Sequence, residues 1–130
     1  INSMKTKNYL SVIFLLISVA LYAQESGPKI SFETTLIDYG TVERNSDGKR
    51  TFSFENLGNQ ELIIKNVQSS CGCTIPKKPD GPIAPGEKSE IIVRYDTNRP
   101  GPFRKTITVT TNAEENPIVA LKIKGTVQPQ

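Results

Sequence analysis

The feature that most constrains this chain is a regular alternation of apolar and polar residues in short segments. At residues 105–111, Ile107 and Val109 alternate with threonines. A period of two places every second side chain on the same face of a β-strand. Comparable segments lie at residues 29–33, 36–42, 50–56, 89–95 and 119–127, and the more continuous apolar run within residues 61–69 predicts an inner strand. No segment has the periodicity of a helix, so the chain is predicted to be all-β.

Turn-forming residues separate these segments. Pro85-Gly86 fits the two central positions of a type II turn, and Gly125 predicts a bulge or a close backbone contact in the last strand. Residues 70–88, rich in proline, glycine and lysine, are predicted to be a loop. About seven short strands in roughly 100 residues predict an immunoglobulin-like antiparallel β-sandwich. We expect its core to contain Phe32, Phe52, Phe54 and Tyr95.

The first residues predict export. From Met4 onward, two lysines precede an apolar run at residues 10–21, and the small residue Ala23 follows. This order is that of a secretory signal peptide, and the run is shorter than the roughly 20 residues of a membrane-spanning helix. We expect residues 1–23 to comprise upstream residues and a cleaved signal, and residues 24–130 to form one domain. The predicted location is periplasmic or extracellular, without stable membrane insertion after cleavage.

Composition argues against several classes of function. The chain carries 16 basic and 13 acidic residues, and loss of Lys5 and Lys7 with the signal lowers the formal net charge from +3 to +1. Nucleic-acid binding needs a concentrated basic surface, whereas the remaining basic residues form only short pairs such as Lys77-Lys78. Histidine is absent, and no phosphate-binding glycine loop or pair of catalytic carboxylates is recognisable. Neither nucleic-acid binding nor a catalytic residue is predicted.

The only two cysteines, Cys71 and Cys73, have the most distinctive chemistry in the sequence. An extended strand would hold their Cα atoms about 6.6 Å apart, and Gly72 can relax the backbone enough for a disulfide. Closing so short a loop removes only roughly 1.6 kcal/mol of chain entropy. A role in stability alone is therefore a weak reason for the pair. An inert pair and a redox pair both remain open, with Gly72 and Thr74 supporting the loop.

The same pair is a candidate site for a soft metal. Copper(I) accepts thiolate ligands, and Cys71 and Cys73 offer two of them. Zinc usually takes four nitrogen or sulfur ligands, which a chain without histidine does not readily supply. A nucleophilic enzyme usually needs a base such as histidine beside its thiol. The sequence therefore predicts no cofactor other than, as an alternative, copper(I) at this pair.

An ordered set of motifs resembles a known family. The motifs are DYGTV at residues 38–42, FSFENLG at 52–58, SCGCT at 70–74, PIAPG at 82–86, YD at 95–96 and GPFRK at 101–105. Together they resemble a secreted bacterial domain of unknown function that carries a CGCT motif. That family is similar to Hydin-like and major-sperm-protein-like immunoglobulin folds. The resemblance covers residues 30–127 and implies an immunoglobulin-like sandwich and export, but no established activity.

The leading functional hypothesis is a non-enzymatic module of the cell envelope that binds or scaffolds another macromolecule. It rests on an analogy at the level of the fold alone, because the related Hydin-like modules are mostly binding or scaffolding units. An exposed sheet edge also offers backbone groups to an added strand. The expected partner is an envelope protein or another macromolecule. The alternative hypothesis is a thiol redox or copper(I)-binding protein that uses Cys71 and Cys73.

Overall fold

The computed structural model describes residues 27–129, so the predicted signal peptide lies outside the described residues. Eight strands form two four-stranded sheets. They are β1 (Ile30–Phe32), β2 (Leu36–Val42), β3 (Lys49–Asn56), β4 (Ile64–Ser69), β5 (Thr74–Lys77), β6 (Lys88–Tyr95), β7 (Gly101–Thr111) and β8 (Ile118–Val127). The predicted all-β immunoglobulin-like sandwich is confirmed. Within the described range, nothing forms a helix of the length and apolarity that crossing a bilayer requires.

The two sheets have different connectivity. Sheet A has the strand order β1-β3-β6-β5, and sheet B has the order β2-β8-β7-β4. All pairs are antiparallel except β2 and β8, which run in parallel. This parallel pair refines the predicted antiparallel arrangement. It arises because β2 leaves the sheet that contains β1 and β3 and, within the part of the chain that the structure describes, pairs only with β8, the last strand.

About seven strands were predicted, and the structure has one more. The additional strand is β5, which lies in the segment predicted to be a loop at residues 70–88. Its residues pair with the C-terminal half of β6, with Thr74 opposite Tyr95. The strand was missed because Pro76 cannot donate a backbone hydrogen bond and normally argues against a strand. An edge strand tolerates proline at a position that points away from its neighbour, and β5 is the edge of sheet A.

Two glycine predictions are confirmed. Gly86 has a φ of 80°, and the Glu87 amide donates to the Ala84 carbonyl at 3.0 Å, which is the predicted type II turn. Gly125 lies in a close contact, because a Cβ there would be 2.7 Å from the Tyr39 Cβ and 2.9 Å from the Phe103 Cζ. The glycine therefore allows β8 to lie against two aromatic residues.

The core lies between the sheets and is built from every second residue of the long strands. Three of the four aromatic residues predicted there, Phe52, Phe54 and Tyr95, are buried. Phe32 is only partly buried and packs against Phe54, with ring centroids 5.4 Å apart. The aliphatic part of the core consists of Leu62, Ile64, Ile83, Ile91, Val93, Ile107, Val109, Ala113, Leu121, Ile123 and Val127.

An aromatic cluster joins the two sheets near the C-terminal end of β6. The rings of Tyr95 and Phe103 stack with centroids 3.8 Å apart, and Tyr39 packs edge-on against Phe103 at 5.2 Å. The Tyr39 hydroxyl donates to the Gly48 carbonyl at 2.7 Å, and the Arg50 guanidinium lies 4.1 Å from the Tyr39 ring centroid. The tyrosine of the DYGTV motif therefore has an architectural role.

Loss of the Tyr39 hydroxyl should change stability in a pH-dependent way. Burial raises the pKa of Tyr39 from 10.0 to about 12. Because the folded-state pKa is the higher one, this contribution to stability is complete below pH 10 and is lost as the pH rises towards 12. We expect Tyr39→Phe to lower the free energy of unfolding at pH 7 by roughly 1–2 kcal/mol. The variant should also show a smaller decrease in the free energy of unfolding between pH 8 and pH 12, measured by urea titrations. An unchanged alkaline slope in the variant would contradict the prediction.

A buried asparagine organises the opposite end of the sandwich. Asn56 is 0% exposed, and its Oδ1 accepts from the amides of Gly58 at 2.9 Å and Lys29 at 3.3 Å. Its Nδ2 donates to the carbonyls of Gln60 at 2.7 Å and Ile83 at 3.0 Å. One side chain thus ties together three segments that are separate in sequence, including the FSFENLG and PIAPG motifs.

Candidate functional site

The cysteines lie in a short turn between β4 and β5, where the chain passes from sheet B to sheet A. Cys71 and Cys73 form a disulfide with a Cα separation of 5.3 Å. The Thr74 amide donates to the Cys71 carbonyl at 3.3 Å, so the backbone turns here and brings the cysteines closer than an extended strand would. Gly72 is exposed at the tip, and a Cβ there would have no atom within 4 Å.

Both ends of this turn are anchored without the disulfide. On one side, the Ser70 amide donates to the Thr106 carbonyl of β7 at 2.9 Å. On the other, the Asp96 amide donates to the Cys73 carbonyl at 2.8 Å. Each sheet therefore fixes one end of the turn through backbone hydrogen bonds. The disulfide constrains a segment that is already constrained, which limits its contribution to stability.

The two sulfur atoms have different surroundings. Cys73 is 3% exposed, whereas Cys71 is half-buried at the edge of the core. The Cys73 amide donates to the Cys71 Sγ at 3.1 Å. The Thr74 hydroxyl lies 3.8 Å from the Cys73 Sγ and is the donor in this pair, because a disulfide sulfur carries no hydrogen. Cys71 is thus the more exposed residue of the pair, and each sulfur lies beside its own hydrogen-bond donor.

The metal hypothesis depends on the oxidation state of this pair. In the disulfide, the sulfurs of Cys71 and Cys73 are bonded to each other, so neither is a thiolate ligand. Copper(I) binding applies to the reduced pair and stays a prediction. Among residues 27–129, no three His, Cys, Asp or Glu side chains form a group that could hold a metal ion.

The free side of β5 is poor in hydrogen-bond donors. The bond from the Asp96 amide to the Cys73 carbonyl sets the alternation of the β5–β6 ladder. Thr74 and Pro76 are therefore the β5 residues whose backbone groups point away from β6. The Thr74 amide is used within the turn, and Pro76 has no amide hydrogen. This edge therefore offers carbonyl groups but no donor to an added strand.

The free side of β4 is different. The bond from the Ser70 amide to the Thr106 carbonyl sets the alternation of the β4–β7 ladder. Val67 and Ser69 are consequently the residues whose amide and carbonyl groups point away from β7. Their side chains are half-buried, and Val67 packs against the core. This edge therefore offers alternating donors and acceptors beside partly covered apolar surface.

Lysines surround this edge. Lys65 precedes the outward-facing positions of β4, and Lys77 and Lys78 follow from the end of β5. All three are exposed, and the Lys78 ammonium donates to the Lys65 carbonyl at 3.4 Å. Two of these lysines, Lys65 and Lys78, therefore lie together at the start of β4, with the exposed carboxylate of Asp80 close to Lys78.

The structure places the four residues singled out from the sequence, Cys71, Gly72, Cys73 and Thr74, in one turn. The β4 edge was not singled out. Backbone groups have no sequence signature of their own, and the pattern at residues 61–69 suggested an inner strand because it is nearly continuously apolar at its start. Only the strand order shows that β4 is an edge.

The profile of a family described as protein of unknown function (DUF1573) matches residues 30–127. The chain belongs to this family. The predicted membership of a family of unknown function is thus confirmed. Three further expectations stay predictions: that the CGCT motif is a feature of DUF1573, that the protein is secreted, and that it is similar to Hydin-like modules. A search of curated proteins finds no match to this DUF1573 chain.

Solved structures share the fold of this DUF1573 domain at low sequence identity. A Porphyromonas gingivalis W83 protein of unknown function superposes with a TM-score of 0.69 at 16% identity, covering 78% of this chain and 47% of that chain. The ASH/PapD-like domain 7 of human CEP192 gives 0.64 at 10% identity, covering 78% and 87%. The Acinetobacter baumannii CsuC–CsuE chaperone–tip adhesion subunit complex gives 0.55 at 12% identity, covering 78% and 57%. The DUF1573 domain therefore has a PapD-like sandwich and spans about half of the Porphyromonas chain.

Proposed function

We propose that this domain is a non-enzymatic module of the cell envelope that binds a protein subunit through the free edge of β4. The observation that carries the proposal is the outward orientation of the backbone groups of Val67 and Ser69. An extended segment laid antiparallel to β4 forms hydrogen bonds with both residues and becomes a fifth strand of sheet B. The similarity to a chaperone solved in complex with an adhesion subunit supports a protein partner.

The other three edges are less suited to an added strand. β5 lacks outward amide donors, and β1 is only three residues long. β2 is interrupted by a register shift between Asp38 and Thr41, and the Asp38 carboxylate already accepts from the Gly40 amide at 2.8 Å. Features of this kind protect sheet edges from unwanted pairing. β4 also has a register shift, between Ile64 and Asn66, but it precedes Val67 and Ser69, so a regular ladder can continue from these two residues.

The surroundings of β4 define the chemistry of the bound segment. Side chains of an added strand alternate between the outer face, beside exposed Asn66 and Gln68, and the inner face, beside half-buried Val67. An apolar residue suits each inner position, because it extends the covered surface of the core. The lysines Lys65 and Lys78 favour carboxylates next to the strand. The partner segment is therefore extended and acidic, with apolar residues at alternate positions.

The unbound protein should show the outward amides directly in hydrogen exchange. We expect the amides of Val67 and Ser69 to exchange on the order of 100-fold faster than those of Asn66 and Gln68, because only the latter pair donate to β7. Exchange followed by NMR at single-residue resolution provides the measurement. Equal protection at all four positions would mean that the assigned alternation of the ladder is wrong.

The partner can be tested with a photo-crosslinking amino acid placed at Gln68, which is exposed on β4. The matched control is Glu90, which is exposed on β6, a central strand without a free edge. We expect one envelope protein to crosslink from position 68 and not from position 90. With that protein purified, the amides of Val67 and Ser69 should become protected. Equal crosslinking from both positions, or unchanged exchange at both amides, would overturn the proposal.

The envelope location rests on the predicted signal peptide. N-terminal sequencing of the protein recovered from cells should begin at Gln24, in an envelope or extracellular fraction. Retention of Met4 with partitioning into membranes would show that the apolar run at residues 10–21 is an anchor instead.

A further inference from the structure

The disulfide takes no part in strand addition at β4. Its ends are held by backbone hydrogen bonds from both sheets, and closing a three-residue loop restricts the unfolded chain only slightly. We propose that Cys71–Cys73 is a thiol–disulfide exchange site, independent of the β4 edge, in which Cys71 is the attacked sulfur and Cys73 the leaving group. Its substrate class is the dithiol of a reduced protein.

Accessibility decides which sulfur is attacked. A thiolate must approach a disulfide in line with the sulfur–sulfur bond and reach one sulfur directly. Cys73 is 3% exposed, and Cys71 is half-buried in a turn whose tip, Gly72, carries no side chain. The incoming thiolate therefore bonds to the Cys71 Sγ. The bond between the two cysteines breaks, and the electron pair leaves on the Cys73 Sγ.

The two hydrogen-bond donors stabilise the charges that form. In the first step the negative charge moves to the Cys73 sulfur, to which the Thr74 hydroxyl donates. In the second step the other thiolate of the substrate attacks the substrate sulfur of the mixed disulfide and expels Cys71 as a thiolate, towards which the Cys73 amide is directed. The substrate loses two electrons and two protons and becomes a disulfide. Cys71 and Cys73 gain both as thiols, and the reverse reaction oxidises them.

The assignment predicts unequal reactivity of the two thiols. In the Cys73→Ser variant, Cys71 should form a mixed disulfide with glutathione disulfide at least about ten times faster than Cys73 does in the Cys71→Ser variant. A second measurement does not depend on the folding of either variant. The reaction of the unmodified protein with reduced glutathione is quenched by acid at intermediate times, and mass spectrometry locates the glutathione on Cys71.

Thr74 supplies a matched pair of variants for the leaving group. Thr74→Val should slow reduction of the disulfide by dithiothreitol about fivefold, whereas Thr74→Ser, which keeps the hydroxyl, should leave the rate unchanged. Glutathione on Cys73, or reduction of the disulfide only at denaturant concentrations that unfold the protein, would overturn the proposal. Equal rates for the valine and serine variants would remove the role assigned to Thr74.

Discussion

Replacement of Asn56 by aspartate is expected to lower the free energy of unfolding by about 3–5 kcal/mol at neutral pH. The two side chains have the same shape, but the Nδ2 that donates to the Gln60 and Ile83 carbonyls becomes an oxygen. A carboxylate then faces two carbonyl oxygens in a position that is 0% exposed. Water cannot solvate the carboxylate or screen its repulsion from the two carbonyl oxygens at this buried position. The end of the sandwich that contains the substitution should therefore unfold at a low denaturant concentration.

The pH dependence separates this mechanism from a simple packing defect. Burial next to carbonyl oxygens should raise the folded-state pKa of the introduced carboxyl above its unfolded value. The destabilisation should therefore grow as the pH rises above the unfolded value of about 3.9. Urea titrations at several pH values provide the measurement, and Asn66→Asp, at an exposed position of β4, is the control. We expect the control to differ from the parent by less than about 0.5 kcal/mol. A pH-independent loss for Asn56→Asp would contradict the electrostatic explanation.

Replacement of Gly48 by alanine should be nearly as damaging. A Cβ at this position would lie only 2.0 Å from the Tyr95 carbonyl oxygen and 3.2 Å from the Thr97 Cγ2. The first neighbour is backbone, and the Tyr95 amide in turn donates to the Gly48 carbonyl at 3.0 Å. Relief of the contact requires separation of the two segments and loss of that bond. We expect destabilisation of at least about 3 kcal/mol, measured by chemical or thermal denaturation.

Gly72→Ala is the matched control for this substitution. A Cβ at Gly72 has no atom within 4 Å, so the change should leave stability within about 0.5 kcal/mol of the parent. Equal losses for Gly48→Ala and Gly72→Ala would show that backbone flexibility, and not the close approach to Tyr95, determines the effect. The aromatic cluster gives a second readout, because near-ultraviolet circular dichroism should change only in the Gly48 variant.

The alternation of apolar and polar residues predicted those strands in which two or more buried residues occur at every second position. The alternation at residues 89–95 places Ile91, Val93 and Tyr95 of β6 on one face, and all three are buried. β5 was missed because four residues are too few to establish a period, and one of them is Pro76. The alternation of residues also could not predict that β2 pairs in parallel with β8. Alternation shows which face of a strand is buried, but it does not show which strand lies alongside.

For the candidate sites too, the sequence predicted the features that depend on neighbouring residues and missed those that depend on the assembled fold. The position of the Cys71–Cys73 pair in a turn followed from Gly72 and the nearby prolines, whose conformational preferences are local. The difference in exposure between the two cysteines depends on how the folded chain encloses Cys73, so it appears only in the assembled fold. Gly48 resembles any loop glycine in the sequence. Its special requirement comes from Tyr95, a residue distant along the chain.

The position of β8 between β2 and β7 dictates the order in which this domain can fold during synthesis. Of the strands in residues 27–129, β2 is the second to be made, yet the one strand with which it pairs there is β8, the last. Until residues 118–127 have left the ribosome, β2 has no strand to pair with and sheet B consists only of the β4–β7 pair, so the apolar face of sheet A is incompletely covered. A topology so rich in distant pairings folds slowly, on the order of milliseconds to seconds. A chain that stalls before Ile118 is therefore a natural substrate for chaperones and proteases.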